Sequence, residues 1–459
     1  YRHFLTAEKD VHNPEILANL KADIEAHYAN KFLLVLGNAW QQQVDALQKW
    51  TSGIKSQLDF YESFVSPRLS SGNSKVVVII SDALRYEISN DLISAIRSID
   101  RFDASVEPIL GVLPSYTQLG MASLLPHSTI EFSGSNDSVN IDGKSASGTV
   151  NRSNILSAVG GVAVQADEIF SLDQSQLRQL FKDHQVIYVY HNVIDATGDK
   201  KNTESKVFGA VKTAIDEISQ IIKRFTNANA SNILITADHG FLYQHNGLEQ
   251  NFYLSEAPKG NILYQGRRHV IGTELEENNA FNSFSSSDLG LNGDIEVQIP
   301  KSINRLRLSG SGSRFVHGGS ALQEIVVPVI SVNKKRSSDI GLVDVDIVVT
   351  GNTITTNQIT LKLVQDSPVT DKVHARKLQA AVYADDVLLT EIKEYSFSSN
   401  SSEARERIQE IVLFLTGDAV RFNHKQIQFV LKEQIPNTNQ FKIYKTIDFT
   451  LNLSFIADF

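Results

Sequence analysis

At 459 residues, with apolar residues at 42% and charged residues at 21%, the chain is long enough for roughly two or three domains and for a large core. The net charge of −9 excludes a general basic cloak for nucleic acid; a local groove would have to use Arg267-Arg268-His269 or Lys334-Lys335-Arg336, short runs of a kind that is usually solvated surface. With no cysteine, disulfides, thiolate metal sites and cysteine nucleophiles are excluded, any metal must be held by His, Asp, Glu or hydroxyls, and a reducing cytoplasm is the expected setting.

No apolar stretch approaches the roughly 18 residues needed to span a bilayer, so no membrane partner is expected. The chain opens on Tyr1 rather than Met, so a native N-terminal part, with any targeting signal, is expected upstream. Residues 1–70 read as a helical scaffold or docking segment. Asn13-Pro14 offers a cap followed by proline at the first helical position, and Leu17, Leu20, Ile24 and Tyr28 mark one face. A second helical stretch carries Trp40, Val44, Leu47 and Trp50, and Pro67 with Ser70-Ser71-Gly72-Asn73 marks a boundary.

From about residue 75 strands and helices alternate. The run Val76-Val77-Val78-Ile79-Ile80 has the composition of a strand buried on both faces, and it ends in Ser81-Asp82. Open α/β sheets bind ligands at that strand end, so Asp82 is either a metal or phosphate-site residue or a helix cap. After a helix through Leu92, Ile93 and Ile96 and a strand near 104–107, Pro114-Ser115-Tyr116-Thr117 precedes a run of helix formers. Thr117 there is either a hydroxyl that binds or attacks phosphate or an ordinary cap. Residues 127–165 are rich in Ser, Gly and Asn, with hairpin-like pieces. Their Gly143-Lys144-Ser145 lacks the upstream glycine and leading strand of a P-loop and is excluded as a nucleotide site.

A second buried strand, Val186 to Tyr190, runs into Asp195 and Asp199, and an amphipathic helix follows with Val207, Val211, Ile215, Ile218, Ile222 and Phe225 on one face. A third strand, Ile233 to Thr236, ends in Asp238-His239-Gly240. One such motif reads equally as a salt-bridged turn; three strands ending in carboxylates favour a site. Residues 244–312 read as an irregular cover, and His317 is followed by Gly318-Gly319, which would let it approach a metal. After Lys334-Lys335-Arg336 the pattern turns to short apolar alternations over 343–349, 359–364, 378–382, 427–431 and 447–453, the signature of an all-β sandwich without clustered ligands. The expected division is 1–70, a catalytic domain over 71–335, and an interaction domain over 336–459.

Asp82, Thr117, Asp195, Asp199, Asp238, His239 and His317 together offer six anionic or imidazole ligands and one hydroxyl, a set suited to two divalent cations and a nucleophile. Their order resembles the alkaline phosphatase superfamily. More narrowly, the stretches 81–87, 114–121, 190–199, 236–241 and 317–328 resemble the PglZ family, the alkaline-phosphatase-like component of BREX phage-defence systems. The resemblance implies an α/β fold with an alkaline-phosphatase-like sheet flanked by helices. It implies one metal on Asp82, Thr117, Asp238 and His239, another on Asp195, Asp199 and His317, and Thr117 as nucleophile. Asp199 stands where the superfamily pattern Asp-x-x-Gly-His has histidine. One or two divalent ions are thus expected, zinc first, with manganese or magnesium favoured where a carboxylate hardens the site.

The expected activity is metal-dependent phosphoester hydrolysis in phage defence, with phosphodiesters such as DNA or nucleotide derivatives ahead of monoesters, and other BREX proteins as partners. The alternative is a non-catalytic metal- or nucleotide-binding scaffold for a defence complex.

Overall fold

The structure is a computed structural model and describes residues 1–8, 14–70, 74–134, 136–245, 252–254, 256–308 and 314–453. Asn13 and Ser71-Gly72-Asn73, expected as a cap and a boundary turn, lie outside these. The described residues divide into two compact units, one from Tyr1–Ile96 and Phe102–Lys334, the other from Arg97–Arg101 and Lys335–Phe459.

The first unit is built on a six-stranded sheet: β1 (Val76–Ser81), β2 (Phe102–Leu110), β3 (Gly161–Gln165), β4 (Val186–His191), β5 (Asn232–Thr236) and β6 (Val326–Lys334), in spatial order β2-β6-β5-β1-β4-β3. The five apolar residues of β1 are fully buried. Burial of each such side chain contributes roughly 1.5–3 kcal/mol, which is why a β-branched run without alternation becomes a central strand. β1 pairs in parallel with both neighbours, Ser81 opposite His191 and Ile80 opposite Thr236. That register brings the residues after three strands to one edge. β6 runs antiparallel to β5, so the segment that enters it, which carries His317, arrives at the same edge.

Two helices carry candidate site residues, α1 (Thr117–Ser123) and α2 (Ile194–Gly198), and a third, α3 (Val207–Asn227), packs against α2. α3 buries Val207, Val211, Ile218, Ile222 and Phe225 as its periodicity predicts, with Ala214 taking the buried position beside the half-buried Ile215. The N-terminal segment is helical over 14–45, but Leu20 on the predicted face remains 49% exposed. The helix of Trp40 and Val44 stops at Asp45, short of Leu47 and Trp50. Trp50 is instead held by its indole N–H on the Gly111 carbonyl. Gly143-Lys144-Ser145 is a hairpin turn leading into a two-residue exposed strand.

The expectation of an irregular cover over 244–312 is corrected. Asn261–Gln265, Val270–Thr273, Phe281–Ser285 and Glu296–Pro300 form a four-stranded antiparallel sheet. Its strands are short and mix apolar residues with Asn282, Ser283, Ser285 and Gln298, which hides the period-two signal.

In the second unit a three-stranded sheet, including Gln358–Gln365 and Ile408–Phe414, and a larger sheet, including Arg376–Ala384, Gln426–Gln434 and Phe441–Leu451, share one apolar core. Leu361, Leu363 and Leu413 meet Val382, Phe429 and Leu431 there. This is the sandwich that the alternating pattern predicts.

Candidate metal centre

Asp82 leaves β1 into a turn in which Ala83 takes a left-handed backbone conformation (φ 60°), and the Ala83 amide donates to Asp238 Oδ1 at 3.1 Å. The His239 amide donates to the same oxygen at 3.0 Å. Asp238 Oδ2 and Asp82 Oδ1 are buried with no hydrogen-bond partner. His239 Nδ1 lies 2.9 Å from the Gly240 carbonyl. That contact fixes the tautomer with hydrogen on Nδ1 and leaves the Nε2 lone pair facing the acids. From Nε2, Thr117 Oγ1 is 3.1 Å, Asp238 Oδ2 3.4 Å and Asp82 Oδ1 3.7 Å away. α1 comes this close because Gly120 has no side chain: a Cβ there would sit 2.3 Å from the Asp238 carbonyl oxygen.

Asp195 lies in the first turn of α2, with its Oδ1 3.9 Å from His317 Nε2. His317 follows the short strand Phe315–Val316, which pairs with Leu242–Tyr243 just beyond Gly240. The pairing stacks the His239 and His317 rings at 4.1 Å. Ligand atoms of Asp82, Asp238 and His239 lie within 4.8 Å of one another, as do those of Asp195, His239 and His317. His239 is thus common to both groups. Asp199 joins neither; it is exposed and lines a cavity of about 170 Å³ beside His317.

Burial sets the electrostatics. It raises the Asp82 and Asp195 carboxyls above the ordinary range, with neighbouring carboxylates adding to it. Burial pushes Asp238 up to about 6 against the pull of the two amide bonds, and pushes His239 down to about 3. Carboxylates this close with orphaned oxygens are unstable as anions unless a cation joins them. Oxygen and imidazole donors suit a divalent ion of the zinc, manganese or magnesium type, so the residues fit one.

The basic cluster Arg267-Arg268-His269, expected on the solvated surface, is corrected. Arg268 is fully buried in a forked pair with Glu324, its Nε 3.1 Å from Oε1 and an Nη 2.8 Å from Oε2. His269 is buried as well, and Arg267 is half-buried. Glu324 also accepts the Gly319 and Ala321 amides and so fixes the loop after His317. Two residues near the site were not among the expected site residues: His269, read only as part of a basic run and found in the same cavity as His317, and Arg152, whose charge acts on Asp82 and which lies over the Tyr190 ring at 4.9 Å. Neither residue type nor spacing ties them to the other ligands, so only the fold reveals their place.

A family model for the BREX system PglZ alkaline phosphatase-like domain matches residues 60–332, more than half of the chain. The alkaline phosphatase-like protein BrxZ of Escherichia coli O9:H4 (strain HS) is 35% identical over 460 residues, covering 97% of this chain and 52% of that protein. The alkaline phosphatase-like protein PglZ of Bacillus cereus (strain H3081.97) is 33% identical over 481 residues, covering all of this chain and 54% of the relative. The chain therefore spans about half the length of the curated relatives it matches. Among solved structures, murine ectonucleotide pyrophosphatase/phosphodiesterase 5 is 13% identical, covering 57% of this chain and 88% of its own, with a TM-score of 0.38. Phosphonoacetate hydrolase from Sinorhizobium meliloti 1021 is 11% identical over 56% of this chain and 89% of its own, with a TM-score of 0.37. The family match spans all three carboxylate-bearing strand ends and His317, and by it the chain belongs to the PglZ family of BREX alkaline phosphatase-like proteins.

Proposed function

We propose that the chain is a metal-dependent phosphoester hydrolase of BREX phage defence, with phosphodiesters as its preferred substrates. The observation that carries the reading is the Thr117 hydroxyl, half-buried at the start of α1 and 3.1 Å from His239 Nε2, above carboxylate oxygens that have no partner of their own. Asp82, Asp238 and His239 would hold one cation, with the single lone pair of His239 Nε2 given to it, and Asp195 and His317 would contribute to a second; bound there, the cations would lower the hydroxyl pKa and neutralise charge on the phosphoryl group.

The chain's own residues supply position. The Gly240 carbonyl orients His239, and the Ala83 and His239 amides orient Asp238. Thr117 Oγ1 attacks phosphorus and gives up its proton, the phosphorus–oxygen bond to the leaving group breaks, and the leaving oxygen takes up a proton to depart as the alcohol. Water then cleaves the threonyl phosphoester and returns the hydroxyl. The preference for diesters rests on the cavity beside His317, which has room for an organic group, and not on Arg267-Arg268-His269 as a clamp for a nucleic-acid backbone.

The test is hydrolysis of a nitrophenyl phosphodiester beside the matching monoester, by metal-stripped protein reloaded with zinc, manganese or magnesium. Turnover that needs metal, favours the diester and falls at least about a thousandfold in Thr117→Ala is expected. Metal-loaded, folded protein without turnover would turn the reading to a scaffold.

A further inference from the structure

His269 sits directly before the strand Val270–Thr273, at the end of a tight turn in which the Gly266 amide donates to the His269 carbonyl at 2.9 Å. The ring stacks with Tyr116 at 5.0 Å and Tyr264 at 5.6 Å. Two glycines make its room. A Cβ on Gly318, itself in the left-handed region (φ 108°), would fall 2.2 Å from His269 Nδ1, and one on Gly266 would fall 2.6 Å from Cε1. The residue is 3% exposed, and neither ring nitrogen has a hydrogen-bond partner.

A neutral imidazole offers one donor and one acceptor, and leaving both unmade in a buried place is costly. The His269 side chain is one wall of the cavity of about 170 Å³ that Asp199, Tyr264, Phe315 and His317 also line. The nitrogens of His269 fall outside both groups of converging ligand atoms, so metal binding does not explain them.

We propose that His269 binds the organic group that a phosphoester carries on its phosphorus, a planar heteroaromatic group of the nucleobase class, and so sets specificity in this cavity. Aromatic walls at Tyr264 and Phe315 suit a flat ring, and an uncharged ring with its own donors and acceptors matches a neutral imidazole better than a second phosphate does. Asp199, exposed on the cavity wall, would accept from an amino or imino N–H. Asp199, standing where the superfamily pattern has histidine, and His269 are then two parts of one site, a carboxylate and an imidazole that face substrate. This inference rests on the reading of the site as a phosphoester site, but its test does not depend on turnover.

Thymidine 5′-monophosphate and inorganic phosphate are titrated calorimetrically into zinc-loaded wild type, His269→Phe and His269→Asn. Phenylalanine keeps the ring stack and removes both polar atoms; asparagine keeps a donor and an acceptor. The expected result is that wild type binds the nucleotide at least about tenfold more tightly than phosphate, and that His269→Phe loses about tenfold or more for the nucleotide and less than about twofold for phosphate. His269→Asn should keep nucleotide binding within about threefold, and metal content should match wild type in both variants. Equal loss for both ligands, no loss in His269→Phe, or a wild type that binds nucleotide no better than phosphate would overturn the assignment. Wild-type turnover of the nitrophenyl esters separately decides the hydrolase reading.

Discussion

At the scale of single residues, the site holds its acids at an energetic disadvantage. Asp238 is fully enclosed, and its carboxyl is pushed up to about 6 by burial. In the metal-free protein, folded Asp238 keeps a proton that the unfolded chain loses near 3.8. Its contribution to stability is therefore complete below about pH 4 and is lost as the pH rises through about 6. Asp238→Asn removes this loss while an amide oxygen can still accept from Ala83 and His239. The difference in thermal midpoint, variant minus wild type without metal, should grow between about pH 4 and 6 and level off above. The corresponding difference in unfolding free energy should reach on the order of 1–3 kcal/mol. Zinc at pH 7.5 should raise the wild-type midpoint more than the variant's, which keeps only the Asp195 and His317 ligands intact. A difference that stays flat with pH, or an undiminished response to zinc, would show that Asp238 is not an ionised ligand.

At the scale of elements, the site is held by contacts that reach in from segments without ligands. Gln57 in the N-terminal segment is fully buried; its amide donates to the carbonyls of Ala237 and Asp238 at 3.1 and 2.8 Å, and its oxygen accepts the Val112 amide at 2.9 Å. Gln57→Ala leaves those groups unpaired and should cost about 1–3 kcal/mol in urea unfolding, with a larger loss in metal affinity than a surface change such as Lys55→Ala causes. Glu324 ties the loop after His317 to Arg268. Glu324→Ala strands a buried guanidinium and should cost about 3–5 kcal/mol, and Glu324→Gln less, by the same measurement. The three strand ends were legible in the sequence because each joins a double-buried apolar run to carboxylates within a few residues. The parallel register that aligns them follows from the alternation of strands and helices. Gln57, Arg268 and His269 were not legible, because their partners lie far away in the sequence and burial reverses the usual reading of a basic run as surface. The sheet over 261–300 was missed because its strands are too short and too polar to show a period.

At the scale of the whole molecule, the two compact units differ in chemistry as well as in architecture. Both groups of converging metal-ligand atoms found among the described residues belong to the first unit, and the second is a sandwich with an apolar core of its own. No helix among the described residues is long and apolar enough to cross a membrane. A unit with its own core can unfold on its own, and a ligand stabilises only the unit whose native state binds it. If the sandwich beginning near residue 336 is a separate domain, scanning calorimetry should resolve two transitions. Zinc at a hundred times its dissociation constant should then stabilise one of them by about 2.7 kcal/mol per site and leave the other within about a degree. The responsive transition should lose part of its shift in Asp238→Asn, while Leu363→Ala in the sandwich core should lower only the unresponsive one. A single transition that zinc and Leu363→Ala both displace would instead make the chain one cooperative body. The proposed boundary would then describe architecture alone, and metal binding at the strand ends would stabilise the sandwich along with the sheet.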